Sequence, residues 1–208
     1  NVETTAAPHS GMIRFTFPEH QESRIQIDLA RRVGGTSVRQ YIRKVDDQTI
    51  QGWMKCTPEG GGWGDGEGKA DYTVYFYAHF SKPLDDYGFW SADIPDGWSR
   101  KRDDVVSEGY LRRVEKAEII SGQSELEGKH LGFFSEFETH ENEEVTLQVG
   151  ISFVDMEGAE TNFRKEIEGK DFDQVRAEAK KRWNESLSGI QVKGGTDDQR
   201  TIFYTALY

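Results

Sequence analysis

The chain has 208 residues and a formal net charge of -11, with 35% hydrophobic and 30% charged residues. That length holds one domain, or one plus a linker, and the acidic balance argues against a nucleic-acid partner, whose phosphates need clustered Lys and Arg. No window is long and apolar enough to cross a bilayer, and the single cysteine, Cys56, leaves no internal disulfide. The basic run Arg100-Lys101-Arg102 is cancelled at once by Asp103-Asp104.

In chain order, residues 11–17 alternate, with Ile13, Phe15 and Phe17 on one face and Met12, Arg14 and Thr16 on the other. Pro18 ends that run. Residues 24–29 alternate again, with Ile25, Ile27 and Leu29 inward. Gly34-Gly35 reads as a turn. Residues 36–45 and 49–56 read as a hairpin about Asp46-Asp47. Residues 72–80 form a strong strand, with Tyr72, Val74, Phe76, Ala78 and Phe80 on one side. Residues 110–121 read as another strand. Residues 130–137 and 144–153 read as a hairpin turned at 140–143. About eight half-apolar strands at this spacing predict a mainly β fold, a two-sheet antiparallel β-sandwich. The C-terminal helices then follow as a linker.

The period changes after Phe153. Ala159, Phe163 and Ile167 recur four apart and predict a short helix after Gly158. Phe172, Val175, Ala179, Trp183 and Leu187 form the stripe of a longer helix, and Asp171 with Gln174 makes a capping box at its start. Thr196 with Gln199 makes a second capping box. Ile202, Phe203, Ala206 and Leu207 then begin an apolar face with nothing in the chain to bury it. The expectation is that the sequence breaks off as another domain begins.

Two stretches stand out as candidate sites. Residues 57–68 hold six glycines around Trp63, Asp65 and Glu67. Residues 84–107 carry Tyr87, Phe89, Trp90 and Trp98 without clean periodicity and read as an insertion. An indole face stacks on the apolar side of a pyranose while carboxylates accept from its hydroxyls, so Trp63, Asp65 and Trp98 are candidate substrate-binding residues. The plainer alternative is a loop whose tryptophan packs on a neighbour. Asp65, Glu67 and Asp71 do not match a calcium-loop spacing and read as a solvated acidic loop. The acid pairs Asp85-Asp86, Asp103-Asp104 and Asp197-Asp198 are adjacent in sequence, which gives no opposed pair for glycoside hydrolysis. The five histidines, His9, His20, His79, His130 and His140, show no metal-ligand spacing. Cys56 shares a face with Ile50 and Met54 and reads as a buried thiol. No catalytic residue and no metal ligand is assigned.

Several segments together resemble one family. Gly150-Ile151-Ser152-Phe153, Gly158-Ala159, Asn162, Glu166, Phe172, Trp183, Leu187, Ile190 and the closing Phe203-Tyr204-Thr205-Ala206-Leu207-Tyr208 are similar to the domain junction of glycoside hydrolase family 92, the bacterial exo-α-mannosidases. Tyr75-Phe76, Phe80-Ser81-Lys82-Pro83 and Ile27-Asp28-Leu29 fit upstream strands of that family.

The resemblance implies an N-terminal β-sandwich, a helical linker and an (α/α)6 catalytic barrel. It implies calcium-dependent hydrolysis of α-mannosides with inversion, which needs carboxylates roughly 6.5–9.5 Å apart. Those carboxylates and the calcium ligands would lie beyond Tyr208. On this reading residues 1–156 are the later part of the sandwich, 157–195 the linker and 196–208 the first barrel helix. The segment alone is then inactive. Its partners are the missing catalytic domain, missing N-terminal strands and mannose-containing glycans. Its setting is periplasmic, secreted or cell-surface in a bacterium. The alternative is a carbohydrate-binding module with no hydrolase role.

Overall fold

A computed structural model describes residues 1–32, 35–58, 71–94, 109 and 112–207. Its strands are β1 (Val2–Ala6), β2 (Ser10–Phe17), β3 (His20–Asp28), β4 (Arg31–Arg32), β5 (Gly35–Thr36), β6 (Arg39–Lys44) and β7 (Thr49–Cys56). They continue as β8 (Tyr72–Phe80), β9 (Asp86–Ser91), β10 (Glu118–Ile120), β11 (Glu125–Gly128), β12 (Leu131–Thr139) and β13 (Glu143–Ser152). A seven-stranded sheet runs β1-β2-β13-β8-β7-β6-β11, a four-stranded sheet runs β10-β9-β12-β3, and β4 pairs with β5. All the ladders are antiparallel. This is the two-sheet sandwich that the alternating pattern predicts.

The core lies between the sheets. Ile42, Ile50, Phe76, Phe80, Val145 and Leu147 enter it from the larger sheet, and Ile25, Phe89 and Phe133 from the smaller. Burying each such side chain contributes about 1.5–3 kcal/mol. The intervening residues of β2 and β8 point the other way, and two of them, Met12 and Tyr77, are buried as well.

The helices supply that second layer. Helix α1 (Met156–Glu166) and helix α2 (Phe172–Leu187) set Ala159, Phe163, Ile167, Phe172 and Val175 against Met12 and Tyr77. Helix α1 begins two residues before Gly158, because Asp155 caps it by accepting from the Gly158 amide at 2.6 Å. The Asp171–Gln174 capping box forms in both directions, at 2.8 and 2.9 Å. Helix α3 (Asp197–Leu207) has its own box from Thr196 and Gln199. Arg14 crosses from the sheet to α2: its guanidinium lies 4.3 Å from the Phe172 ring centre and 3.3 Å from Asp173.

Three expectations are corrected. First, β12 and β13 are not a hairpin. β12 pairs with β3 and β9, and β13 with β2 and β8, so the connection at 140–142 arches from one sheet to the other. Phe133 and Val145 meet in the same core from opposite layers. Second, 110–121 is not one strand: 112–114 form a helical turn and only Glu118–Ile120 is extended. Third, residues 84–94 are part of the body. Leu84 and Phe89 are buried in the main core, while Trp90 packs with Ala92, Ile94 and Phe134 on the opposite face of β9. A strand covered on both faces shows no alternation, which hid it. Two short strands at the rim of the larger sheet, β1 and β11, also carry too little apolar signal to predict.

Successive strands alternate in direction, so the connections sort cleanly between two ends. Residues 18–19, 45–48, 81–85, 121–124 and 140–142 turn at one end. The connections 7–9, 29–38, 57–71, 92–117, 129–130 and 153–155 leave and rejoin the strands at the other. The long connections are all at this second end.

Candidate functional site

The loop-bearing end is the candidate site, because rigid strands there present long connections. Thr57 and Asp71 flank the stretch holding Trp63, Asp65 and Glu67, and both stand at this end. So do Ile94 and Arg112, which flank the stretch holding Trp98. Trp63, Asp65, Glu67 and Trp98 themselves lie outside the described residues, as do Gly34 and Asp103-Asp104. Asp71 is exposed beside Tyr72.

The roots of these loops are tied by polar groups the sequence did not single out. Gln40 is fully buried; its amide donates to the Ser37 hydroxyl at 2.6 Å, and its oxygen accepts from the Leu131 amide at 3.0 Å. The Ser37 hydroxyl donates to the Leu29 carbonyl at 2.9 Å. One glutamine thus joins the 29–38 connection to the start of β12. Arg32 donates to the Thr57 carbonyl at 2.8 Å, and Arg113 to the Asp93 carbonyl at 2.7 Å. The Ala92 amide donates to the His130 carbonyl at 3.0 Å. Between them opens a polar cleft of about 550 Å³, lined by Ser91, Asp93, Lys116, Glu118, Lys129 and His130. A glutamine in an otherwise apolar-facing run was the available signal.

Cys56 is buried at the same end. Burial pushes its thiol up, and contacts from Tyr72 and Arg32 offset this only in part, so it stays protonated and unreactive. Among the described residues no three His, Cys, Asp or Glu side chains converge on a metal-sized site. None of the described residues is therefore assigned a calcium ion. Asp85-Asp86 lies at the opposite end, and Asp197-Asp198 occupies the first turn of α3, where the helix dipole favours negative charge.

Apolar surface gathers on this side as well. Phe153 and Val154 are 64% and 77% exposed, and Phe153 meets the half-exposed Tyr72 edge-on at 6.2 Å. Helix α2 starts against Arg14 and Phe172 and climbs past Ala6, Ala7 and Pro8 toward the loop-bearing end. Beyond Ala179 its surface opens: residues 180–186 are all exposed, Trp183 to 49%. A cleft of about 400 Å³ remains between Ala6, Ala7, Pro8 and Val175, Ala179, Trp183. Helix α3 buries no residue, and Ile202 is 69% exposed.

Comparison with known proteins decides the family. The model of the glycosyl hydrolase family 92 N-terminal domain matches residues 1–152. The chain belongs to glycosyl hydrolase family 92. The model of that family's catalytic domain matches residues 158–208, so both family 92 domains are represented. A family GH92 α-mannosidase from Bacteroides thetaiotaomicron is similar in structure, with a TM-score of 0.71 and 29% identity over 93% of this chain. A family GH92 inverting mannosidase from the same organism, at 19% identity and a TM-score of 0.72, covers 99% of this chain and shares its fold. The chain spans 23% of each of these two proteins. An uncharacterized secreted glycosidase of Arthroderma benhamiae is 39% identical over 84 residues, which are 37% of this chain and 11% of that protein.

Proposed function

We propose that this chain is the non-catalytic sandwich portion, with its helical handover, of a calcium-dependent inverting exo-α-mannosidase. The observation that carries the reading is the coincidence of two features at one end. The described residues that flank the stretches holding Trp63, Asp65 and Trp98 stand at the end toward which the exposed part of α2 climbs. A catalytic barrel joined through α2 and α3 would sit over that end, cover Phe153, Val154 and Trp183, and receive the loops at the rim of its pocket.

The handover is read as sandwich to 156, linker from 157 to 195 and first barrel helix from 196. The acid, the base and the calcium ligands belong to the barrel, outside these residues. Mannose-containing glycans are the substrates, and the setting is periplasmic, secreted or cell-surface in a bacterium. The relative described as a secreted glycosidase supports export.

Turnover of an aryl α-mannoside in the presence of calcium tests the reading. The 208-residue chain alone is expected to be inactive, and the same chain continued through a family 92 barrel active. In the longer protein, Trp63→Ala is expected to raise KM. Turnover by the chain alone would refute a non-catalytic role.

A further inference from the structure

An aromatic row crosses the outer face of the larger sheet, away from the loop-bearing end's cleft. Register places Glu127, Tyr41, Trp53 and Tyr75 side by side on β11, β6, β7 and β8. Ile42 and Ile50 on the same strands point into the core, so alternation turns this row outward. Helix α1 packs over β13 and β8 and reaches β7, and Tyr75 borders the cluster beneath it. Tyr41 and Trp53 belong to none of the three core clusters and are half-buried. Their rings lie within 25° of parallel with centres 6.1 Å apart. Half-burial leaves part of the pair at the surface.

Polar groups frame the pair. The Tyr41 hydroxyl donates to Glu125 at 2.6 Å, and Arg39 donates to Glu127 at 2.6 Å. The Arg43 guanidinium faces the Gln51 side-chain amide. Arg39, Arg43 and the exposed Lys55 stand beside Glu125 and Glu127, so the frame mixes both signs and carries a net charge of only about one. It offers both donors and acceptors, which suits a ring of hydroxyls. Near-parallel aromatic faces inside such a frame match the C–H face and hydroxyl edge of a pyranose.

We propose that Tyr41 and Trp53 form a stacking platform for a neutral oligosaccharide, a binding site separate from the loop-bearing end. The inference does not need the mannosidase reading, which serves only to choose the first probe. Calorimetric titration of the chain with an α-linked mannotriose, and with a β-linked glucotriose as the second probe, measures it. At least one is expected to bind, and Trp53→Ala or Tyr41→Ala to weaken that binding about twofold to tenfold, as loss of one stacking contact implies. Trp53→Phe keeps a ring and is expected to retain most of the affinity. Oxidation of Trp53 by N-bromosuccinimide in the unsubstituted chain, read by peptide mass, gives a measure that needs no variant, and bound trisaccharide is expected to slow it. Absence of binding by both probes, or binding that leaves both Trp53 oxidation and the alanine variants unaffected, overturns the platform. Catalysis enters none of these measurements, so the platform and the mannosidase reading fail independently.

Discussion

A methyl group placed on Gly150 would stand 2.4 Å from the Ala159 carbonyl oxygen and 2.7 Å from Phe163 Cβ. Gly150 therefore sets how closely α1 lies on β13, and Gly150→Ala is expected to destabilise the chain by about 1–3 kcal/mol in urea unfolding. An unchanged midpoint would mean that α1 is not docked as described. Beside it, Glu166 ties α1 to the turn between β1 and β2. Its carboxylate accepts from the His9 amide at 2.8 Å and contacts the His9 ring at 2.9 Å. Burial opposes ionisation of Glu166, but the bonds from His9 and Ser10 outweigh it and hold the carboxyl below its usual range of about 4.5. A depressed folded value contributes stability that is present above the unfolded value and lost as pH falls through the folded one. Unfolding measured from pH 7 downward should therefore show a loss below about pH 4.5 that Glu166→Gln reduces. The same acid loss in the variant would remove Glu166 from the account. Neither role was legible in sequence: Gly150 and Glu166 appear there only as parts of a resemblance, and each acts on a contact that folding alone creates. Gln40 is the same case, a polar residue whose partners sit 3 and 91 positions away.

At the scale of elements, periodicity gave more than pairing. The strands at 49–56 and 72–80 are found at those bounds, and the capping boxes of α2 and α3 form as their residues require. Alternation says which residues face a core. It does not say from which layer they come, and so β12 and β13, both apolar toward the core and adjacent in sequence, read as a hairpin although they belong to different sheets. β9 escaped because Trp90 and Phe89 are buried on opposite faces. The caps offer a direct check. Asp171→Ala removes one half of the α2 box and is expected to cost about 0.5–2 kcal/mol, with loss of helical circular dichroism. An effect near zero would mean that α2 is held by its packing on the sheet and not by the cap.

For the whole molecule, strand direction is the organising fact. Alternation up and down collects the short turns at one end and the long connections at the other, and α2 climbs toward the second end with its last turns exposed. Phe153, Val154 and Trp183 are large apolar residues about half or more exposed at that end, the kind of surface a neighbouring domain covers. The sequence already pointed to an unburied face on α3, but not to the end of the sandwich it would share, because that depends on the direction of every strand before it. Hydrogen–deuterium exchange, compared between the 208-residue chain and the same chain continued through a family 92 barrel, tests this arrangement most directly. The account predicts that residues 153–155 and 180–207 gain strong protection in the longer protein while the turns at 45–48 and 121–124 do not change. Exchange at 153–155 and 180–207 that stays fast in the longer protein would contradict it.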